Sequence, residues 1–221
     1  MTVLEHEALS TAMDRDDLAD CLIVTPLLER DQIGPSSIDV RLATEFRVFR
    51  RIGKAGIDPQ EQTDVGIDDA YDKKVVPLGE GLWLHPGQFA LGATLEYLRI
   101  PSDLSGYVIG RSSWGRIGLM VATAILVHPG YTGCLTLELA NEGDSPIRLY
   151  PGVRIAQLVL HSLSAPTEEP YGSDAKTSYL AHTTPRVTKL DKARDEISRI
   201  EQVANRLHPV SGDKDPLADD C

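Results

Sequence analysis

The chain has 221 residues, 42% of them hydrophobic, and a formal charge of −11 from 33 acids against 22 lysines and arginines. That length suits one domain with at most an appended element, and the apolar share is enough for an ordinary core. The charge argues against a general nucleic-acid binder, since a phosphate backbone demands an extended basic surface, but a few clustered arginines can still hold one small polyanion. Cys21, Cys134 and Cys221 are odd in number and far apart, which fits a reducing compartment rather than a disulfide framework. The opening residues show neither a basic leader nor an uninterrupted apolar run, and no window reaches membrane-spanning length. A cytoplasmic protein with no membrane partner is therefore expected.

Residues 6–22 have helical character, with Leu9, Met13 and Leu18 among acids. Residues 36–50 alternate Ile38, Val40 and Leu42 with polar neighbours ahead of a second apolar set, as a strand would. Residues 53–74 collect Gly53, Gly56, Pro59, Gly66 and five aspartates, and are predicted to be a loop. From 75 to 163 come short β-rich runs punctuated by Pro86-Gly87, Pro129-Gly130 and Pro151-Gly152, the pattern of a compact all-β barrel or double-sheet fold with minor α content. Beyond Pro185 the residues Leu190, Ile197, Ile200, Val203 and Leu207 recur at multiples of three or four. An amphipathic helix over 189–207 is predicted, fit to cover a subunit surface and followed by a disordered acidic end. The division is thus a domain over 1–185 and an extension over 186–221.

Residues 110–138 carry the chemistry. Arg111, Ser112, Ser113 and Arg116 place two cations and two hydroxyls among Gly110, Gly115 and Gly118, where backbone can approach an anionic ligand closely. In Leu135-Thr136-Leu137-Glu138-Leu139 a period of two sends the leucines to one face, and Thr136 and Glu138 to the other. Plainer readings stand beside these: a surface turn for Arg-Ser-Ser, and a solvent-facing strand acid for Glu138. Gln157 shares strand parity with Val153, Ile155 and Val159, so it must find a partner, either a structural hydrogen bond or a ligand. His128 reads as a turn residue or a substrate contact, and Trp114 and Tyr131 as core or subunit contacts.

With Ser36-Ser37-Ile38-Asp39-Val40-Arg41-Leu42, Leu84-His85-Pro86-Gly87, Gly110-Arg111-Ser112-Ser113, Gly115-Arg116, Pro129-Gly130, Leu137-Glu138, Pro151-Gly152, Gln157 and Pro170-Tyr171-Gly172-Ser173, the chain resembles the dCTP deaminase family over about 30–185. The resemblance implies a dUTPase-like distorted β-barrel or double-sheet fold, with an N-terminal helix here and the C-terminal helix added. It implies a homotrimer or dimer of trimers with sites between subunits, converting dCTP to dUTP and ammonia without zinc, and with magnesium carried by the triphosphate. Glu138 would be the general base for the water attacking cytosine C4, and Ser112 and Arg116 would organise that water. Arg111, Ser113 and Gln157 would hold phosphates, Thr136 and His128 would line the substrate, and Tyr171 with Lys176 would belong to a closing C-terminal lid. The bottom-up chemistry agrees, because hydrolytic deamination needs an activated water and a proton carrier, and the PCxxC pair of zinc deaminases does not occur here.

Three departures narrow these expectations. His128 stands where members carry an Asp that directs water at the α-phosphate, which argues against pyrophosphatase action. The loop 120–126 is one residue shorter and lacks a His. Ser178 and His182 replace a Lys and a Gln of the lid. The alternatives are a related nucleotide enzyme, either a dUTP diphosphatase or a deaminase of another pyrimidine nucleotide, and a catalytically silent nucleotide-binding regulatory protein; the nucleotide partner expected is dCTP, with dUTP and dTTP as alternatives.

Overall fold

Short alternating runs between turn residues give short strands, because each Pro-Gly or Gly pair reverses the chain before a strand can lengthen. The computed structural model describes residues 2–18, 20–50, 57, 58, 60, 67–122, 126–173, 180–187 and 191–207. In chain order the strands are β1 (Thr2–Val3), β2 (Ile23–Thr25), β3 (Ile38–Arg41), β4 (Glu45–Phe49), β5 (Tyr71–Val75), β6 (Leu82–Leu84), β7 (Phe89–Ala93) and β8 (Tyr97–Arg99). There follow β9 (Leu104–Gly110), β10 (Leu119–Ala122), β11 (Leu126–Val127), β12 (Thr132–Gly133), β13 (Thr136–Asn141), β14 (Ile147–Leu149) and β15 (Arg154–Ser162).

Two five-stranded sheets dominate. One runs β1-β15-β9-β11 with β3 also on β15, and the other runs β10-β13-β7-β4-β5; β12-β8-β2 and β14-β6 form smaller ones. None closes on itself among the described residues, so the double-sheet form of the expected fold is the one observed. Ile38, Val40, Leu158 and Leu160 of the first sheet, Phe46, Ala90, Leu137 and Leu139 of the second, and Leu9 share one buried cluster. Each of the Leu, Ile, Val and Phe side chains contributes about 1.5–3 kcal/mol by leaving water. Gly87, Gly130 and Gly152, the second residues of the three Pro-Gly turns, have φ of 70°, 81° and 86°, the region that glycine adopts without strain.

Three expectations are corrected. The N-terminal helix is only His6–Met13, capped by Glu5, whose carboxylate accepts from Glu7 N and Ala8 N at 2.8 Å each. Asp14, Asp16 and Asp17 follow where a helix C-terminus disfavours negative charge, and Leu18 is 70% exposed. Residues 36–50 make two strands rather than one, with Leu42 bridging to Thr94 between them. Part of the predicted loop 53–74 is β5, an edge strand whose charged residues pair with β4, as Lys73 Nζ does with Glu45 Oε2 at 3.0 Å. Its polarity, typical of a protected edge, hid it.

The chain divides into two compact units, Met1–Arg51 with Ala70–Val187, and Ile52–Asp69 with Thr188–Cys221. The second holds the helix Asp191–Leu207, on which Ile200 and Val203 are exposed and Glu201 accepts a hydrogen bond from Gln60 Nε2 at 2.7 Å. The predicted acidic end lies outside the described residues. No helix among the described residues is long and apolar enough to cross a membrane.

Candidate active site

The arginine turn is set by an irregularity in the neighbouring strand. β9 ends at Gly110, and Arg111 is the N-cap of a four-residue helix, Ser112–Gly115. Alongside, the register of β15 against β3 slips between Arg154 and Ala156, leaving Ile155 as a bulge. The bulge carbonyls anchor the turn: Arg111 N donates to Ile155 O at 3.2 Å and Trp114 Nε1 donates to Arg154 O at 3.0 Å. Ser112, Ser113 and Arg116 are exposed on this turn, and Trp114 packs partly against the core.

The bulge also decides which side chains share a face. Arg154 pairs with Arg41 and Gln157 with Asp39, so the extra residue brings Arg154 and Gln157, three apart, to one side of the sheet. The expected parity of Gln157 with Ile155 is therefore broken: Ile155 is fully buried, while Gln157 turns to polar partners. Gln157 Nε2 donates to Asp39 Oδ1 at 3.0 Å and to Ser37 Oγ at 3.3 Å. Asp39 Oδ2 accepts from Arg111 Nη1 at 2.5 Å and from Arg154 Nη1 at 3.3 Å. Two residues expected at phosphates, Arg111 and Gln157, thus meet at a single buried carboxylate.

Arg154, Asp39, Glu29 and Asp31 were not singled out from the sequence. Arg154 Nη2 also donates to Glu29 and Asp31, and Arg41 Nη2 donates to Glu29 Oε2 at 2.7 Å. Hydrogen bonding from Arg154, reinforced at Glu29 by Arg41, holds the Glu29 and Asp31 carboxyls below their ordinary range, and those acids raise the Arg154 guanidinium in turn. Behind them, fully buried Glu96 accepts from Arg41 N at 2.8 Å and Gln32 Nε2 at 3.0 Å, and burial pushes its carboxyl up.

Glu138 belongs to the other large sheet. Along β13 the leucines 137 and 139 are buried and Thr136 and Glu138 half-buried, as the period of two predicts. Cross-strand registers place Glu138, Leu91, Arg47 and Lys73 in one row, and Tyr71, two residues before Lys73, lies on the same face. The Tyr71 phenol is pushed up by burial and, secondarily, by the charge of Glu138. β10 links the two regions: Val121 lies against Gly110, where an added Cβ would be 3.3 Å from its own, and the next residue, Ala122, pairs with Glu138. Val121 shares the buried face with Leu139 and Ala122 shares the other face with Glu138, so the Gly110 contact and the acid lie on opposite faces of β10.

The remaining expected contacts gather near the chain's end. His128 is exposed and its ring stacks on Tyr171 at 5.5 Å and 3°, while Tyr171 N donates to Pro129 O at 2.7 Å. Tyr171 therefore lies down on the His128-Pro129-Gly130 turn of its own chain. Tyr131 is buried, as expected of a core contact, and its hydroxyl donates to Cys134 O at 2.9 Å. Farther on, Ala181 N donates to Thr132 O at 2.7 Å and Arg186 N to Thr136 Oγ1 at 3.1 Å, so this arm runs along β12 towards the Glu138 face. Lys176 and Ser178 lie outside the described residues, as does 123–125 of the shortened loop. A separate groove beside the N-terminal helix, lined by Glu5, Glu7, Arg15 and Asp103, contains none of these residues and is spanned by the Arg15–Asp103 ion pair at 2.7 Å.

A family model described as dCTP deaminase-like matches residues 6–163. A dUMP-forming dCTP deaminase of Methanobrevibacter smithii is 42% identical over 171 residues, covering 76% of this chain and 87% of that protein. A dCTP deaminase of Natronomonas pharaonis is 40% identical over 195 residues, with 87% and 97% covered. A dUMP-forming dCTP deaminase of Nocardia farcinica is 47% identical over 171 residues, with 75% and 83% covered. Among solved structures, the 2'-deoxycytidine 5'-triphosphate deaminase of Agrobacterium tumefaciens shares the fold, with a TM-score of 0.55 at 24% identity over 73% of this chain; the match spans about half, 48%, of that chain. The chain belongs to the dCTP deaminase-like family.

Proposed function

We propose that the protein hydrolyses the exocyclic amine of dCTP, giving dUTP and ammonia. Glu138 takes a proton from water as the water oxygen adds to cytosine C4 and passes it to N3, then takes the proton of the new C4 hydroxyl and passes it to the departing amine, so that the C4–N bond breaks, the carbonyl forms and ammonia leaves. Ser112 and Arg116 orient that water, and Arg111, Ser113 and Gln157 receive the phosphates. Thr136 and His128 border the base and sugar, and Tyr171 with Lys176 closes over them. Magnesium arrives as the counter-ion of the triphosphate. The acids beside the arginine turn, Asp39, Glu29 and Asp31, are all engaged by guanidinium groups. Zinc plays no part in this reading, which follows from the lack of a PCxxC pair.

The observation that carries the proposal is the placement of Glu138 on a half-buried strand face, in a chain of this family that also presents an arginine turn with exposed hydroxyls. We assign the complete site to a homotrimer, alone or as a pair of trimers, in the cytoplasm. Exposed Ile109, Ile117, Met120 and Leu126 flank the turn and supply apolar surface for a neighbouring copy. Relatives are named both for dUMP formation and without it; the dUTP product is favoured here by His128, which lacks the carboxylate that would direct water at phosphorus.

Incubation of the pure protein with each dNTP and NTP plus magnesium, followed by separate measurement of ammonia, pyrophosphate and nucleotide products, tests the reaction and its substrate. Ammonia and dUTP from dCTP alone are expected. Pyrophosphate accompanying ammonia would replace dUTP with dUMP as product, and nucleotide binding without any turnover would make the protein a silent regulator.

A further inference from the structure

Asp39 touches both side chains given to the phosphates above, yet the deamination chemistry leaves it without a task. Its side chain is 11% exposed and receives Arg111 Nη1 at 2.5 Å, Gln157 Nε2 at 3.0 Å and Arg154 Nη1 at 3.3 Å. A carboxylate has about four lone-pair sites, so three donors nearly saturate it without consuming the five-donor fork of either guanidinium. Glu29 and Asp31, the other acids on Arg154, differ in one decisive respect: their side chains are 58% and 74% exposed. Exposed ion pairs contribute little and exchange readily, whereas a buried pair is costly to break. An incoming polyphosphate can therefore displace Glu29 and Asp31 from Arg154 while Asp39 stays in place between the two arginines.

We propose that Asp39 is a positioning residue of the polyphosphate subsite, holding Arg111, Gln157 and Arg154 as one donor array, and that Arg154 is itself a cation of that subsite. This rests on the deaminase reading only in taking the arginine turn as the phosphate end. An arginine side chain carries a large rotamer entropy, and fixing it during folding removes that cost from binding. The bulge at Ile155 makes the array possible by putting Arg154 on the face of Gln157.

The test uses the full chain and inorganic tripolyphosphate as probe, with dCTP kinetics in parallel. Asp39→Asn keeps the shape and removes the charge. It should weaken tripolyphosphate binding in calorimetry at least tenfold and raise KM for dCTP as much, with kcat changed less than threefold; Arg154→Gln should weaken tripolyphosphate at least threefold. Wild-type tripolyphosphate affinity in a folded Asp39→Asn, or a fall in kcat at constant KM, overturns the proposal. If circular dichroism shows Asp39→Asn to be unfolded, Arg154→Gln decides: weakened binding supports the array and unchanged binding overturns it. A wild-type chain that binds no tripolyphosphate overturns it as well. Failure of the deaminase reading is a separate outcome, seen as absence of ammonia from dCTP, and it leaves the tripolyphosphate comparison intact.

Discussion

The arginine cluster around Asp39 and the face that carries Glu138 are built in opposite ways. Around Asp39 every cation already has counter-charges within its own chain, and the geometry depends on a bulge, a buried carboxylate and contacts between residues more than a hundred positions apart. The Glu138 face is a regular strand surface, with leucines inward and polar residues outward along a single run. The first arrangement fixes groups in advance, as recognition of a multiply charged ligand requires, since ordering done during folding is not repeated on binding. The second leaves an acid at a half-buried position on a regular strand.

Four changes break or sharpen this contrast, beginning with the largest. Glu138→Gln should lower ammonia release from dCTP by about 10²–10⁴-fold, the usual worth of a positioned general base, with nucleotide binding held within a few fold; an active variant would remove the acid from the chemistry. Arg111→Ala acts at the other end and should weaken nucleotide binding by roughly 2–5 kcal/mol in calorimetry, because it also strands Asp39 without its shortest partner. Unchanged affinity would mean that the arginine turn serves the fold alone.

Gly130→Ala touches neither cluster. Its φ is 81° and an added Cβ would lie 2.6 Å from Pro170 Cβ, so a loss of about 1–3 kcal/mol in stability is expected, read as a lower Tm; an unchanged Tm would show that the turn relaxes without strain. The smallest effect concerns acid. Glu29 and Asp31 titrate in the folded protein below their ordinary 4.5 and 3.8, so their pairing stabilises the fold above those values and the stabilisation is lost as pH falls through the lowered ones. Asp31→Asn should lower Tm slightly at pH 7 and leave the acid end unchanged, so that the acid limb of a Tm-against-pH curve flattens; a limb as steep as the wild type's would show that this pair contributes nothing measurable.

Legibility in the sequence followed the range of the contacts. Leu137 and Leu139 against Thr136 and Glu138, and the three Pro-Gly reversals, are local patterns and were visible as such, as were the family's motifs. The pairing of Asp39 and Arg41 was not, although both stand in one of those motifs, because in an alternating strand they look like solvent-facing partners of Ile38 and Val40, whereas both are buried. The Asp39 side chain is partnered by Arg111, Arg154 and Gln157, and the Arg41 side chain by Glu29, Gln32 and Gly152 O, none of them an adjacent residue in sequence. The N-terminal helix was read too long for a related reason: spacing alone admitted Leu18, while the acids at 14, 16 and 17 oppose continuation.

The bulge at Ile155 acts as a ruler. Because one surplus residue both aims Arg154 and presents the two carbonyls that seat the neighbouring turn, the count of residues between Arg154 and Gln157 is a quantity that cannot drift. Deleting Ile155 would restore a smooth ladder and rotate either Arg154 or Gln157 to the opposite side, so this strand should accept changes of side chain far more readily than changes of length.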